Sequence, residues 1–315
     1  MKPKSAKAGR SVVVIGSSNT DFIVDVNRLP RPGETVLGGR FRTAGGGKGA
    51  NQAIAAARAG GNVTFLAKIG NDLWGHAALE TFKRERINVK HVTQHRREPS
   101  GVALIFVGSR GQNSIAVALG ANNTLGARDI KRAQSEISNA SIVLAQLESP
   151  LDTVVAAARA ATRSGARLIL NPAPARKLPR SLLAMVSVLT PNESEAALLT
   201  GMDVNSRKTA IRAANQLIRQ GARTVVVTLG AQGALIVENS GVAYVPGYPV
   251  DAIDTVAAGD TFNGALAASL ALDWGIEAAV KYANAAAAIS VTRLGAQSSA
   301  PTTREIFACI RKSKR

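Results

Sequence analysis

Short runs of β-branched and aliphatic residues alternate with helix-like stretches along nearly the whole chain, and this rhythm limits the fold more than any other feature. The runs at 12–15, 63–69, 142–147, 167–170, 186–189 and 224–228 read as strands buried on both faces. Between them, 51–59, 77–86, 152–163, 206–220, 261–272 and 276–292 read as helices. In the fourth of these, Ala210, Ile211, Ala214, Leu217 and Ile218 share one helical face, and Gly221 supplies the stop. Such alternation predicts a mostly parallel sheet covered by helices on both faces.

Two stretches break the rhythm. Residues 22–44 carry Pro30, Pro32 and Gly33 and show no helical period. Residues 101–120 read as a hairpin, with strands at 102–107 and 114–117 around the turn Gly108-Ser109-Arg110-Gly111. Both are expected to form antiparallel strands outside the main sheet. The expected architecture is therefore one Rossmann-like α/β domain over 11–310 with a small discontinuous β-sheet lid at about 22–44 and 101–120.

With 315 residues, 46% of them hydrophobic, the chain can bury a core of that size. Its one cysteine, Cys309, excludes an internal disulfide or a cysteine-based zinc site. No apolar run is long enough to span a membrane, and the apolar run at 12–15 is too short for a secretory signal. The ten residues ahead of the first strand leave little room for a transit peptide, so a cytoplasmic protein is expected. The net charge is +18. Part of it lies at the ends, in Lys2, Lys4, Lys7 and Arg10 and in Arg311, Lys312, Lys314 and Arg315, which read as disordered basic tails at 1–10 and 311–315. A basic surface attracts polyanions, but no aromatic stacking pattern or nucleic-acid motif accompanies it. Nucleic acid is the minor reading, and a favourable field for a phosphorylated small molecule is the main one.

The densest chemistry lies in Asp254-Thr255-Val256-Ala257-Ala258-Gly259-Asp260-Thr261-Phe262-Asn263-Gly264. Small residues let backbone approach a ligand, and the first N–H groups of the helix that follows have no internal partner, so the turn can hold an anion. Asp260 at its lip can accept a proton; a bare helix cap would use the same residue types. A second glycine-rich stretch, Gly45-Gly46-Gly47-Lys48-Gly49-Ala50-Asn51, is not a Walker A loop, because Gly49 stands where Ser or Thr is needed. It is either a flexible turn or a surface that presents Lys48 and Asn51 to a hydroxyl-rich ligand. Asn19 and Asp21 are read at the end of the first strand and Glu148 just past the third, where open α/β sheets bind ligands. Asx-turn chemistry or a solvated loop acid would explain them equally. Asn192 and Glu195 have capping-box spacing and could also hold magnesium-bound water. The segment from Thr228 through Gly230 to Gly233 is a turn between strands or a nucleotide loop.

Residues 45–59 and 254–266 closely resemble the two signature segments of the PfkB-type carbohydrate kinases. Residues 16–21, 146–150, 171–175, 190–195, 228–233 and 292–299 are similar to the ribokinase branch of that family. The resemblance implies sugar-binding positions at Asn19, Asp21, Gly47, Lys48, Asn51 and Glu148. It implies a catalytic base at Asp260, which also touches the sugar, and an anion hole at Ala257, Ala258 and Gly259. Nucleotide-binding positions follow at Asn192, Thr228, Gly230, Gly233, Gly259 and Asn284, with Glu195 in a magnesium network. Asp254, Val256, Ser290, Arg293, Gly295 and Ser299 match a site for an activating potassium ion, several through backbone carbonyls. The implied activity is ATP-dependent phosphorylation of D-ribose at its 5-hydroxyl, with Mg²⁺ and K⁺, in a homodimer joined through the lids. A kinase for 2-deoxyribose, another sugar or a nucleoside is the nearest alternative. A non-catalytic sugar sensor or polyanion-binding protein is the alternative from another class.

Overall fold

The computed structural model describes residues 11–109 and 112–313. Residues 1–10, Arg110 and Gly111 within the turn expected at 108–111, and Lys314 and Arg315 lie outside the described residues, so the N-terminal tail reading has no counterpart here. Among the described residues the strands are β1 (Ser11–Ile15), β2 (Asn19–Val26), β3 (Arg40–Gly46), β4 (Asn62–Gly70), β5 (Asn88–His95), β6 (Gly101–Gly108), β7 (Asn113–Ala118), β8 (Ile142–Ala145), β9 (Arg167–Leu170), β10 (Val188–Leu189), β11 (Thr224–Thr228), β12 (Gly233–Glu238) and β13 (Gly241–Pro246). The helices are α1 (Lys48–Arg58), α2 (Leu73–Arg84), α3 (Ala127–Arg132), α4 (Gln134–Asn139), α5 (Leu151–Ser164), α6 (Arg180–Leu183), α7 (Glu193–Thr200), α8 (Arg207–Arg219), α9 (Ala258–Ala271), α10 (Ile276–Ser290) and α11 (Thr303–Lys312).

The main sheet runs β13-β12-β11-β10-β9-β8-β1-β4-β5. Every pairing from β5 to β11 is parallel, and β12 alone runs against the rest, pairing antiparallel with both β11 and β13. Alternation along β1 builds the two layers. Val12 and Val14 enter the core shared with α1, α9 and α10, while Val13 and Ile15 enter the core shared with α5 and α8. The chain leaves β1 toward β4 on one side and later returns to β8 on the other. β1 therefore marks the point where the winding reverses, and a crevice opens beyond its carboxyl end.

A four-stranded sheet, β3-β2-β6-β7, forms the lid. Its two hairpin pairings are antiparallel as expected, but β2 and β6 meet in parallel, because the two inserted pieces come from different parts of the chain. The lid also begins earlier than expected. β1 stops at Ile15, and Asn19 and Asp21 open lid strand β2 instead of ending the first core strand.

The C-terminal tail reading needs a correction as well. Arg311 and Lys312 form the last turn of α11, whose Ile306 is fully buried and whose cations suit a helix C-terminus. β5 and β13 escaped the sequence pattern because they are edge strands: each buries a single residue, His91 in β5 and Val245 in β13, so neither shows the continuous apolar run of a central strand.

Candidate active site

α9 is buried at every position from Asp260 to Ala271, as an all-round apolar helix must be. It lies directly on α1. A Cβ on Gly264 would stand 2.6 Å from Ala55 Cβ and 2.7 Å from Gln52 O, so only glycine allows this approach. The approach brings the first turn of α9 against the first turns of α1. Asp260 Oδ2 accepts a hydrogen bond from Asn51 Nδ2 at 2.9 Å, and Oδ1 accepts one from Gln52 Nε2 at 2.9 Å.

Both helices start three residues earlier than their apolar patterns suggest, at Lys48 and Ala258. Each is entered through left-handed backbone, at Gly47 (φ 85) and Ala257 (φ 58). For alanine that conformation is strained, and such strain concentrates at functional turns. It aims the helix N-terminus into the crevice. The N–H of Ala258 turns back toward Thr255 O at 3.3 Å. That leaves the Gly259 and Asp260 N–H groups, rather than that of Ala258, as donors at the start of the helix that can meet an anion.

Beside Asp260 stands a cluster of groups that suits hydroxyls. Glu148 Oε2 accepts from the Lys48 backbone N–H at 2.9 Å and from Ser17 Oγ at 2.5 Å, which ties the loop after β8 to the start of α1. Asn19 is buried, and its Oδ1 accepts from Asn122 Nδ2 at 2.8 Å, so its own amide donor turns the other way. Asp21 packs on Gly46, with burial and the nearby Glu148 and Asp260 carboxylates pushing its pKa up to about 6. Lys48 answers this negative charge. The Asp260 carboxylate, with Glu148 and Glu195 behind it, holds the ammonium above its ordinary range against the effect of burial. Asn51 Oδ1 is buried with no donor from the described protein, a position for a ligand hydroxyl.

A cavity of about 1070 Å³ opens on the other side of the α9 N-terminus. Ala258 and Gly259 line it together with Asn192, Thr228, Gly230, Gly233 and Asn284 of α10. Asn284 Nδ2 donates to the Val245 and Pro246 carbonyls at 3.1 Å each, so it also anchors the end of β13. Asn192 and Glu195 form the capping box that their spacing predicts: Asn192 Oδ1 accepts from Glu195 N at 2.8 Å, and Glu195 Oε2 accepts from Asn192 N at 2.9 Å. Burial raises the pKa of Glu195, with Asp260 adding to the shift and Lys48 opposing it. A cavity of about 1070 Å³ thus reaches the first residues of α9, and the Asp260 carboxylate stands among the polar side chains beside that turn.

The pfkB family carbohydrate kinase model matches residues 10–303. The chain belongs to that family. It is 41% identical to the ribokinase of Haemophilus influenzae over 94% of this chain and 97% of that protein. It is 38% identical to the deoxyribokinase of Salmonella typhi, over 93% and 96%. The structure of Arabidopsis thaliana ribokinase complexed with ribose and ATP superposes with a TM-score of 0.91 at 31% identity, covering 96% of this chain and 98% of that one.

In this carbohydrate kinase the segment expected to hold potassium is brought together behind the α9 turn. Asp254 Oδ1 accepts from Val256 N and Oδ2 from Gly295 N, both at 2.9 Å, and the Ile253 and Asp254 N–H groups donate to Val291 O at 2.7 and 3.1 Å. Ser290 and Ser299 are fully buried, and each donates its hydroxyl to a nearby carbonyl, of Ala287 and Ala296. The Arg293 side chain turns away to pair with Glu305. Oxygen donors with one carboxylate suit a hard monovalent cation. Among the described residues no group of three or more His, Cys, Asp or Glu is arranged to hold a metal ion by itself.

Sequence reasoning missed Gln52 and Asn122, which hold Asp260 and Asn19 in place. The available signal was a glutamine on the alanine-rich buried face of α1, where a polar side chain needs a partner.

Proposed function

We propose that this chain is an ATP-dependent ribokinase, transferring the γ-phosphoryl group of ATP to the 5-hydroxyl of D-ribose. The observation that carries the reading is the Asp260 carboxylate at the N-terminus of α9, flanked by Lys48 and faced by Asn19, Asp21, Asn51 and Glu148. ATP fits the large cavity with its terminal phosphate at the Gly259 and Asp260 N–H groups. The sugar's primary hydroxyl then lies at Asp260.

A primary hydroxyl is far too weak an acid to ionise first. Asp260 aligns it for in-line attack and takes its proton late, as the bond to phosphorus forms. The Gly259 and Asp260 amides and the Lys48 ammonium stabilise charge on the transferring group. Mg²⁺ bound to the phosphate oxygens would neutralise further charge, with Glu195 and Asn192 positioned for its water shell. K⁺ would be held by Asp254 and the carbonyls of Val256, Arg293 and Gly295, with Ser290 and Ser299 completing the turn.

Asp21 favours ribose over 2-deoxyribose. Its buried carboxylate beside Glu148 needs donors to stay ionised, and vicinal ring hydroxyls supply two of them. A homodimer through the lids agrees with Phe41, Leu104 and Phe106. The strand register places Phe41 and Phe106 on either side of Val24 on one lid face, with Leu104 on that same face, and the three are 61%, 50% and 37% exposed. Among the described residues no helix is long and apolar enough to cross a membrane. The test is ADP release with a panel of ribose, 2-deoxyribose, hexoses and nucleosides. Ribose should be at least about tenfold better than 2-deoxyribose in kcat/KM, the cost of one buried group left unpaired. Equal efficiency or a preference for 2-deoxyribose rejects the substrate assignment.

A further inference from the structure

Asp260 is the end of a buried chain of side-chain amides that starts across the sheet. Gln146, just past β8, donates through Nε2 to Gln52 Oε1 at 2.6 Å. Gln52 then donates through Nε2 to Asp260 Oδ1 at 2.9 Å and to Asn171 Oδ1 at 3.0 Å. Asn171 donates to Thr190 O at 3.2 Å, Thr190 Oγ1 donates to Asn263 Oδ1 at 2.6 Å, and Asn263 donates to Gly259 O at 2.8 Å. Gln52 is 0% exposed and Gln146 1%. The chain therefore leaves Asp260, crosses the carboxyl ends of β8, β9 and β10, and returns to the neighbouring residue of the anion-binding turn.

The polarity of this chain is set by chemistry. A glutamine amide can face either way, but a flipped Gln52 would place Oε1 against the Asp260 carboxylate and against Asn171 Oδ1. Gln146 reinforces the working orientation by occupying Gln52 Oε1 with a donor. With Asn51 on Oδ2 and Gln52 on Oδ1, rotation of the carboxylate about χ2 is blocked.

We infer that Gln52, oriented by Gln146, is a positioning residue for the phosphoryl transfer: it fixes the plane of the Asp260 carboxylate, so that one lone pair stays aimed at the acceptor hydroxyl. The inference rests on the reading of Asp260 as the acceptor-side base. The other charged groups around Asp260 are Lys48 from α1, Asp21 from β2, Glu148 from the loop after β8 and Glu195 from α7, and none of them is replaced by changes at Gln52 or Gln146.

The test uses Gln52→Met and Gln146→Met, which keep length and volume but remove the amides, in the full chain. Crystal structures without sugar read the orientation of the Asp260 carboxylate. In Gln52→Met it should turn about χ2 or split into two conformers, while Asn51 and the α9 backbone stay in place. Gln146→Met should show a smaller departure. Where wild-type turnover of ribose is present, kcat should fall roughly tenfold or more while KM for ATP stays unchanged. An unchanged Asp260 plane in folded Gln52→Met overturns the proposal. If Gln52→Met does not fold, an unchanged plane in Gln146→Met overturns it and a departure supports it. Absence of ribose turnover in the wild-type enzyme rejects the sugar assignment alone, because the carboxylate orientation is read without substrate.

Discussion

Asn51 Nδ2 and Asp260 Oδ2 stand 2.9 Å apart although 209 positions separate them in the chain. The contact exists because α1 and α9 pack at the closest distance that Gly264 permits. It joins the two glycine-rich segments, so Lys48 and Asn51 on one side and Gly259 and Asp260 on the other are positioned by a single helix pair.

Removing the carboxylate charge isolates its chemistry. Asp260→Asn keeps the volume and can still pair with part of the amide cluster, so folding and ATP binding should be nearly unchanged. We expect kcat to fall by roughly 10²–10⁴, the usual contribution of a positioned base. Steady-state kinetics with a parallel ATP-binding titration checks this, and near-full turnover would remove Asp260 from its role.

The raised pKa of Asp21, about 6, has consequences for both binding and stability. A folded state that holds this proton more tightly than the unfolded chain loses stability as pH rises from about 4 through about 6. Asp21→Asn should therefore raise Tm at pH values above that window and give no gain below it. The same substitution should raise KM for ribose roughly tenfold or more, by removing an acceptor for its hydroxyls. Calorimetric Tm at several pH values reads the first effect; a Tm at neutral pH that falls on substitution contradicts it.

The α1–α9 approach can be probed directly. Gly264→Val would place methyl groups against Gln52 O and Ala56 N, where even a Cβ would sit at 2.7 Å. Overpacking of this kind costs typically about 1–3 kcal/mol. Because the same shift draws Asp260 away from Asn51 and Gln52, kcat should fall further than the folded fraction does. Denaturant unfolding and kcat measured on the same preparation separate the two, and a destabilised variant with full kcat per folded molecule would uncouple packing from the site.

Potassium should act through the turn, not through the substrate. Asp254 already holds Val256 and Gly295 by backbone hydrogen bonds, and a cation among the nearby carbonyls would stiffen the segment that leads into Ala257. Activity should be higher in K⁺ than in Na⁺ at equal ionic strength with Mg²⁺ saturating. Asp254→Ala should erase the difference. Identical rates for the wild-type protein in the two salts would count against a site here.

Much of this protein is written locally. Strands β9 and β11 fall on the apolar runs at 167–170 and 224–228, α8 lies between its cap Ser206 and Gly221, and Asn192 caps α7 with Glu195 as the spacing requires. These features depend on periodicity and capping, which act over a few residues. The two signature segments were legible for the same reason, since small residues ahead of a helix define an anion-binding turn before any tertiary contact forms. What the tertiary structure alone decided is which groups meet. Asn19 and Asp21 belong to the lid because β1 stops at Ile15, a break that no apolar period marks. Gln52 touches Asp260, and Asn122 orients Asn19, across 208 and 103 residues. Arg311 and Lys312 continue α11 because Ile306 anchors it in the core, although their composition alone reads as a tail. Hydrogen bonds and close packing between distant segments depend on the relative placement of whole helices and strands, and that placement is a property of the assembled core rather than of any stretch of sequence.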